Sequence, residues 1–275
     1  MNATSANSNG DARYYWGVDC GSSEIKVVLC DREGNILHKR KGRTLFPLYE
    51  NVYRALNDEY ATPFIENTAI AKSNHKIVAT GYGRHHLEFV DDKLTEIKAH
   101  FLGVQKQLKL DVPYTIIDIG GQDAKVITID CNKVDQFAIN RKCAAGTGAF
   151  IEELAHRLEV PMDEMTELAN RHDKEFMLNS YCTVFSGQEV IKTLMNGERI
   201  ENLIYALYLS VVKRVLEMTM VTTDVVVFSG GVVAHHPLLI ELFGKKLENK
   251  KMLLAPETQY CGALGAALHG ISEEQ

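Results

Sequence analysis

Residues 18–31 read VDCGSSEIKVVLCD, and residues 117–130 read IDIGGQDAKVITID. The two stretches align without a gap at a constant offset of 99 residues, which places Asp118 on Asp19. In each stretch an apolar run leads into Asp-x-Gly and small polar residues, and a second apolar run leads into a polar turn. Apolar residues resume after the polar turn. This alternation of apolar runs and turns predicts a three-stranded antiparallel meander in both copies. The chain therefore contains an internal repeat.

Each predicted meander is followed by helical patterns and by another apolar strand that ends at glycine. These strands lie within residues 77–84 and 225–232. Apolar residues at a spacing of three to four predict helices over residues 94–110, 149–158 and 200–218. Two α/β halves with mixed sheets follow from this order of elements. We predict the first half over residues 13–112 and the second over residues 113–275, with the C-terminal helix packing back on the first half.

The bulk composition excludes several classes of protein. The formal net charge is −6, whereas a nucleic-acid-binding domain usually carries a basic face. No stretch reaches the roughly 18 apolar residues that a membrane helix needs. The Asn- and Ser-rich residues 1–12 lack the apolar core of a signal peptide. We therefore predict a cytoplasmic protein with a disordered lead-in over residues 1–12, which binds neither nucleic acid nor a membrane.

The duplicated turns predict a nucleotide site. Gly and Ser in a tight turn expose successive backbone N–H groups that can bind phosphate oxygens, and an Asp at the preceding strand end can hold Mg²⁺ or its waters. We assign Mg²⁺ to Asp19 and Asp118, and hydrolysis to Asp118 with Gln122 or Asp123 orienting the attacking water. The predicted phosphate ligands are Gly21, Ser22, Ser23, Lys26, Gly120, Gly121 and Gln122. The directions of the Lys26 and Lys125 side chains stay open at this point.

A glycine pair after the last apolar strand predicts the nucleoside part of the site. Gly230 and Gly231 follow residues 225–229 and precede Val232. Glycine permits close approach of a backbone to a ligand, so Gly230, Gly231 and Val232 are expected to lie against an adenosine.

Two of the six cysteines precede predicted helices. Cys143 opens a glycine-rich segment before the helix at 149–158, and Cys182 stands just before a Ser-x-x-Glu capping box at Ser186. A helix N-terminus lowers a thiol pKa and favours ligation. Two thiolates cannot complete a four-cysteine site, so a metal would need a second chain, and zinc and iron–sulfur both stay open. We expect the other four cysteines to be packing residues, and the pairs His85-His86 and His235-His236 to lie at the surface.

Five segments give the sequence its resemblance to a known family. They read TGYGR, DIGGQDAK, NRKCAAGTG, CTVF and GALGAA and occupy residues 80–84, 118–125, 140–148, 182–185 and 262–267. The chain resembles the activator ATPases of 2-hydroxyacyl-CoA dehydratases and the ATPase subunits of benzoyl-CoA reductase, of the BadF/BadG/BcrA/BcrD type, within the actin, hexokinase and Hsp70 superfamily. The resemblance implies two ribonuclease-H-like, actin-like ATPase domains with ATP or ADP in the cleft between them.

The same resemblance implies the partners. It implies one [4Fe–4S] cluster held by Cys143 and Cys182 of both chains of a homodimer. ATP hydrolysis would send a low-potential electron from this cluster to a CoA-thioester dehydratase, with reduced ferredoxin or flavodoxin as the electron source. Relatives of the dehydratase type usually continue after CTVF with Ala-Glu-Ser-Glu, whereas this chain has Ser-Gly-Gln-Glu at residues 186–189. An aromatic-ring reductase partner therefore stays open.

Two other functions remain compatible with the residues. A small-molecule kinase acting on a sugar or a carboxylate would use the same scaffold, although it normally needs insertions that build a substrate pocket, and none is visible here. A non-catalytic nucleotide sensor is the third alternative, against which the paired Asp-x-Gly turns argue.

Overall fold

The computed structural model describes residues 14–45, 75–141, 143–178 and 183–274, with 183–187 described by their backbone alone. The predicted lead-in over residues 1–12 and Cys182 lie outside the described residues. The chain divides into two compact units. Unit 1 comprises the chain up to Lys106 together with the segment from Tyr260 onward, and unit 2 runs from Gln107 to Gln259.

Unit 1 contains a five-stranded mixed sheet in the order β3-β2-β1-β4-β5. Its strands are β1 (Tyr14–Cys20), β2 (Glu24–Cys30), β3 (Ile36–Arg43), β4 (His75–Thr80) and β5 (Asp92–Lys93). The central strand β1 pairs antiparallel with β2 and parallel with β4, and most of its residues are buried. The edge strand β3 carries alternating exposed residues and a run of Lys and Arg, which keeps this edge solvated and discourages pairing with another chain.

Unit 2 contains a second five-stranded sheet with the same topology, in the order β10-β9-β6-β7-β8. Its strands are β6 (Tyr114–Ile119), β7 (Ala124–Asp130), β8 (Lys133–Asn140), β9 (Val225–Ser229) and β10 (Lys251–Leu254). The central strand β6 pairs antiparallel with β7 and parallel with β9, as β1 does with β2 and β4. The predicted antiparallel meander is confirmed in both units.

The residue-by-residue register confirms the internal repeat as well. Asp19 lies directly opposite Lys26 in the pairing of β1 with β2, and Asp118 lies directly opposite Lys125 in the pairing of β6 with β7. Facing residues of paired strands project to the same side of a sheet. The 99-residue offset therefore relates aspartates that have the same strand position and the same facing lysine.

Two helices of unit 1 pack closely against their neighbours because glycine, which has no side chain, stands at the points of contact. The described helices of unit 1 are a 3₁₀ helix (Tyr82–His86), α1 (Glu96–Leu108) and α8 (Cys261–Ser272). A Cβ on Gly17 of β1 would lie 1.8 Å from the Ala263 carbonyl oxygen, and a Cβ on Gly265 would lie 1.8 Å from the Ala99 carbonyl oxygen. The small glycine and alanine residues of α8 thus allow this helix to pack against both β1 and α1.

Unit 2 has its core around one long buried helix. Its helices are α2 (Gly148–Arg157), α3 (Met165–Asn170), α4 (Thr183–Met195), α5 (Ile200–Leu216), α6 (Gly231–His235) and α7 (Leu238–Lys246). Twelve residues of α5 are buried, so apolar contact surrounds it on most sides. The predicted helices over 94–110, 149–158 and 200–218 are present as α1, α2 and α5, with no end shifted by more than two residues. None of the described helices is both long enough and apolar enough to span a bilayer.

The structure corrects two expectations in unit 2. The prediction that a capping box at Ser186 starts a helix is wrong, because α4 already begins three residues earlier, at Thr183. The surface position expected for His236 is also wrong, since its side chain is 2% exposed and its Nδ1 lies 2.7 Å from the Tyr208 hydroxyl. A pair of adjacent histidines at a helix end diverges, so His235 faces solvent while His236 turns into the core.

Candidate functional site

Each candidate phosphate turn is closed by one backbone hydrogen bond. The Gly21 N–H donates to the Glu24 carbonyl at 3.1 Å, and the Gly120 N–H donates to the Asp123 carbonyl at 2.9 Å. The intervening residues are exposed or half-buried: Ser22, Ser23, Gly121 and Gln122. The two turns therefore share one hydrogen-bonded form, and each holds its predicted phosphate ligands within reach of solvent.

Asp118 lies buried in a network of polar side chains at the end of β6. Its Oδ1 accepts a hydrogen bond from Ser229 Oγ at 2.9 Å, and its Oδ2 accepts one from Lys125 Nζ at 3.3 Å. Lys125 Nζ also lies 2.8 Å from Asp123 Oδ1, and Arg141 Nε lies 3.8 Å from Asp123 Oδ2. Asp118 and Lys125 are 2% and 4% exposed, so the open question about Lys125 is answered: it points inward, to Asp118.

Asp19 occupies the equivalent position in unit 1, but its surroundings differ. A Cβ on Gly81 would lie 2.7 Å from its Oδ1, and a Cβ on Gly262 would lie 2.8 Å from its Oδ2. Two glycine backbones thus flank the carboxylate where any other residue would press on it. Lys26 Nζ lies 3.5 Å from Glu24 Oε2, so its side chain is drawn to a residue of the turn.

Sequence reasoning missed several residues near Asp19. The Nη1 of Arg84 donates to the Gly81 carbonyl at 2.8 Å and lies 3.9 Å from Glu96 Oε1. His100 is buried, and its Nε2 would lie 3.5 Å from a Cβ on Gly262. The TGYGR segment contained a signal for Arg84. Glu96 and His100 belong to α1, whose amphipathic pattern indicates packing alone, so no sequence signal marked them.

The glycine pair that we expect at the adenosine forms the tight connection between β9 and α6. Gly230 has a φ of +98°, and a Cβ there would lie 2.3 Å from the Ile119 carbonyl oxygen, so only glycine fits. Its N–H donates to the Thr258 carbonyl at 2.9 Å. Gly231 has open space around its Cα, and Val232 is buried. Gly230 and Gly231 are half-buried, and only Gly231 has room for a side chain.

Helix α2 is bonded directly to the phosphate turn of unit 2. The Gly148 N–H donates to the Gly120 carbonyl at 2.9 Å, and the Ala149 N–H donates to the Gly121 carbonyl at 2.7 Å. The first turn of a helix has N–H groups without intrahelical acceptors, and here the phosphate turn supplies acceptors for two of them. Any change in the backbone at Gly120 and Gly121 therefore acts on the start of α2.

Cys143 lies in the short segment that leads into α2. Its carbonyl accepts a hydrogen bond from Asn140 Nδ2 at 2.9 Å, and the same Nδ2 donates to the Ala145 carbonyl at 2.9 Å. The Cys143 N–H also donates to Asn140 Oδ1 at 3.3 Å. One amide side chain thus fixes the backbone around a half-buried thiol. Its predicted partner Cys182 lies outside the described residues.

The remaining cysteines behave as predicted for packing residues, apart from one at the surface. Cys20, Cys30 and Cys261 are buried, and Cys131 is exposed in the turn between β7 and β8. Burial raises the pKa of the Cys20 and Cys30 thiols to about 12, which makes them poor ligands and nucleophiles. Over the described ranges, no three His, Cys, Asp or Glu side chains stand close enough together to hold a metal ion.

Two sheets of identical topology, each with an aspartate beside a tight glycine turn, define an α/β protein of the actin-like ATPase fold. The chain belongs to the BadF/BadG/BcrA/BcrD ATPase family, which it matches over residues 16–270. It is similar to the solved activator of the 2-hydroxyisocaproyl-CoA dehydratase from Clostridium difficile with bound ADPNP, at a TM-score of 0.81 and 32% identity. That likeness covers 94% of this chain and 95% of the other.

The curated relatives whose names state a function are of two kinds. The 2-hydroxyisocaproyl-CoA dehydratase activator of Clostridioides difficile is 36% identical over 270 residues, which is 94% of this chain and 96% of that protein. A benzoyl-CoA reductase component of Thauera aromatica is 27% identical over 268 residues, which is 92% of each. Of these two relatives, the dehydratase activator is the more similar to this chain.

Proposed function

We propose that this protein hydrolyses ATP to drive a low-potential electron into a 2-hydroxyacyl-CoA dehydratase. Its membership of an ATPase family supports the hydrolysis, and the name of its relative from Clostridioides difficile supports a dehydratase as the partner. The observation that carries it is the pair of hydrogen bonds from the start of α2 to the Gly120 and Gly121 carbonyls. Through them a nucleotide bound at the turn would act on the segment that holds Cys143.

The nucleotide would be held by the residues of the two turns. Asp19 and Asp118 would hold Mg²⁺ or its waters, and the Gly21–Ser23 and Gly120–Gln122 turns, with Lys26, would bind phosphate oxygens. Both Asp118 oxygens already accept hydrogen bonds, so we expect this carboxylate to reach the metal through a water. The Gly230–Val232 segment would lie against the adenosine.

Hydrolysis needs a positioned water more than it needs covalent help from the protein. The exposed Gln122 at the tip of its turn is suited to orient that water for attack on the γ-phosphorus, with ADP as the leaving group. Asp123 is the weaker candidate, because its carboxylate is already engaged by Lys125 at 2.8 Å. Asp118 would accept the hydrogen bonds that fix the metal-bound water.

The surroundings of Cys143 are compatible with its proposed role as an iron–sulfur ligand. Cys143 is half-buried and its backbone is fixed, as a ligand requires, whereas the described core cysteines are sealed from solvent. Cys143 and Cys182 from two copies of the chain would supply the four thiolates that a [4Fe–4S] cluster takes. When bound, the cluster supplies one-electron chemistry. We propose a homodimer in the cytoplasm, reduced by ferredoxin or flavodoxin.

Benzoyl-CoA reductase is the second candidate partner. The similarity to the Thauera protein supports it, and the Ser-Gly-Gln-Glu sequence at residues 186–189, where dehydratase activators usually have Ala-Glu-Ser-Glu, leaves the class of partner open. Both partners take CoA thioesters, and both would draw the same low-potential electron. Reconstitution with each purified partner separates them, because product forms with only the correct one.

The test is anaerobic purification of three proteins: wild type, Cys143→Ser and Cys131→Ser. Cys131 is the matched control, because it is an exposed thiol of the same unit that lies in a hairpin turn. We expect wild type and Cys131→Ser to be brown dimers with about four irons per dimer, bleached by dithionite, as a single [4Fe–4S] cluster requires. We expect Cys143→Ser to lose the iron and the colour.

ATP turnover completes the test. Wild type should hydrolyse ATP and transfer electrons to the partner, whereas Cys143→Ser should lose electron transfer and keep nucleotide binding. A colourless wild type with full partner activation would refute the cluster. Hydrolysis that appears only when a sugar or a carboxylic acid is added would identify a kinase instead.

A further inference from the structure

One buried hydroxyl group beside Asp19 has no partner in the part of the chain that the structure describes. Thr80 is the last residue of β4 and is 0% exposed, and its Oγ1 forms no hydrogen bond there. Buried hydroxyl groups are normally paired, because an unpaired one forfeits its hydrogen bonds to water. A hydroxyl left unpaired at the edge of a candidate site is therefore a candidate for a role in that site.

The equivalent residue of unit 2 has a hydrogen-bond partner. Thr80 lies directly opposite Asp19 in the parallel pairing of β1 with β4, and Ser229 lies directly opposite Asp118 in the parallel pairing of β6 with β9. The Ser229 hydroxyl donates to Asp118 at 2.9 Å. Thr80 and Ser229 are thus the same hydroxyl position in the two copies of the fold.

The backbone that follows is equivalent as well. Gly81 and Gly230 come next, with φ values of +88° and +98°. A Cβ on Gly81 would lie 2.5 Å from the Cys20 carbonyl oxygen, and a Cβ on Gly230 would lie 2.3 Å from the Ile119 carbonyl oxygen. Each glycine therefore presses against the residue that follows the aspartate, and each precedes a short helix. The backbone around the hydroxyl residue and the aspartate therefore has the same conformation in both units.

We infer that Thr80 is the positioning residue of Asp19, and that its hydroxyl donates to this carboxylate when Mg²⁺ and nucleotide are bound. This inference rests on the proposed function, in which Asp19 holds Mg²⁺ or its waters. The two units differ because Lys125 holds Asp118 in place, whereas Lys26 is drawn to Glu24.

Replacement of the Thr80 hydroxyl by a methyl group should have opposite effects on stability and on activity. Among the described residues the Thr80 hydroxyl is buried and has no hydrogen-bond partner, so its replacement by a methyl group should remove a destabilising feature. In the working enzyme the same replacement removes the hydrogen bond that orients a metal ligand. A residue with a purely structural role would change both quantities in the same direction.

The experiment compares Thr80→Val, Thr80→Ser and Thr115→Val with wild type. Thr115 is the matched control, because it is a fully buried strand threonine whose Oγ1 lies 2.8 Å from the Thr223 hydroxyl. Nucleotide-free melting temperature, kcat and the Mg²⁺ concentration for half-maximal ATPase activity are measured for each protein. We expect the melting temperature to rise by about 2–4 °C in Thr80→Val and to fall by a similar amount in Thr115→Val.

Activity should follow the hydroxyl group. We expect Thr80→Val to lose about 10- to 100-fold in kcat or in Mg²⁺ affinity, as removal of a group behind a metal ligand does. Thr80→Ser should regain most of the loss, and Thr115→Val should keep wild-type kinetics. A stabilised Thr80→Val with unchanged kinetics, or a destabilised one, overturns the inference. Wild type without ATPase activity would instead refute the proposed function, and these two failures are therefore distinguishable.

Discussion

Mild acid should destabilise this protein through His236, which follows helix α6. The ring is 2% exposed, and burial together with the neighbouring His235 lowers the pKa of His236 from its ordinary 6.5 to about 4. The folded protein therefore keeps this ring neutral, with Nδ1 2.7 Å from the Tyr208 hydroxyl, at a pH where the unfolded chain already takes up a proton.

The magnitude follows from the difference between the two pKa values. The unfolded state binds more protons below pH 6.5, so the contribution of His236 is complete above that pH and is lost as the pH falls toward 4. One pKa unit corresponds to about 1.4 kcal/mol, so the full loss is about 3 kcal/mol. About 2 kcal/mol of it falls between pH 7 and pH 5, above the range in which ordinary carboxylates titrate.

Urea unfolding at pH 7 and pH 5 measures this quantity in wild type, His236→Asn and His235→Asn. Asparagine cannot titrate, so His236→Asn should be less stable at pH 7 but should lose about 2 kcal/mol less than wild type on acidification. The control His235→Asn removes an exposed histidine and should keep most of the wild-type pH dependence. Equal pH dependence in wild type and His236→Asn would refute the buried, neutral state of this ring.

Two further predictions concern residues of the candidate site. Gly230→Ala forces a Cβ to within 2.3 Å of a carbonyl oxygen at a φ of +98°, so it should lower the free energy of unfolding by about 1–3 kcal/mol or more. Gly231→Ala has open space and should cost less than about 1 kcal/mol; equal costs would contradict the geometry. Lys125→Met leaves the Asp118 carboxylate buried without its cation and should cost about 3–5 kcal/mol by urea unfolding. An unchanged urea midpoint would show that the ion pair contributes little.

The local elements were predictable because each has a signal within a few residues. Alternating and continuous apolar runs predicted the strands of both meanders, and the residues at their turns predicted where each strand ends. The start of α4 was predicted wrongly, because Ser186 and Glu189 match a capping box yet the helix continues three residues upstream. A capping pattern is compatible with a helix interior when tertiary contacts supply the remaining stability.

Contacts between distant segments had no such signal. The burial of His236 depends on Tyr208 in another helix, and nothing in the His-His pair distinguishes the inner ring from the outer one. The direction of Lys125 depends on its register against Asp118, because a strand residue can face either side of a sheet until its neighbours are known.

The sequence by itself determined the repeat, the two mixed sheets and the positions of Asp19 and Asp118 at equivalent strand ends. It did so because strand periodicity and turn residues are local properties that survive in both copies. Only the tertiary structure decided how the copies differ: Asp118 is held by Lys125 and Ser229, whereas Asp19 is flanked by glycine backbones. Three of these four contacts join residues more than 60 positions apart, so no local pattern encodes those three.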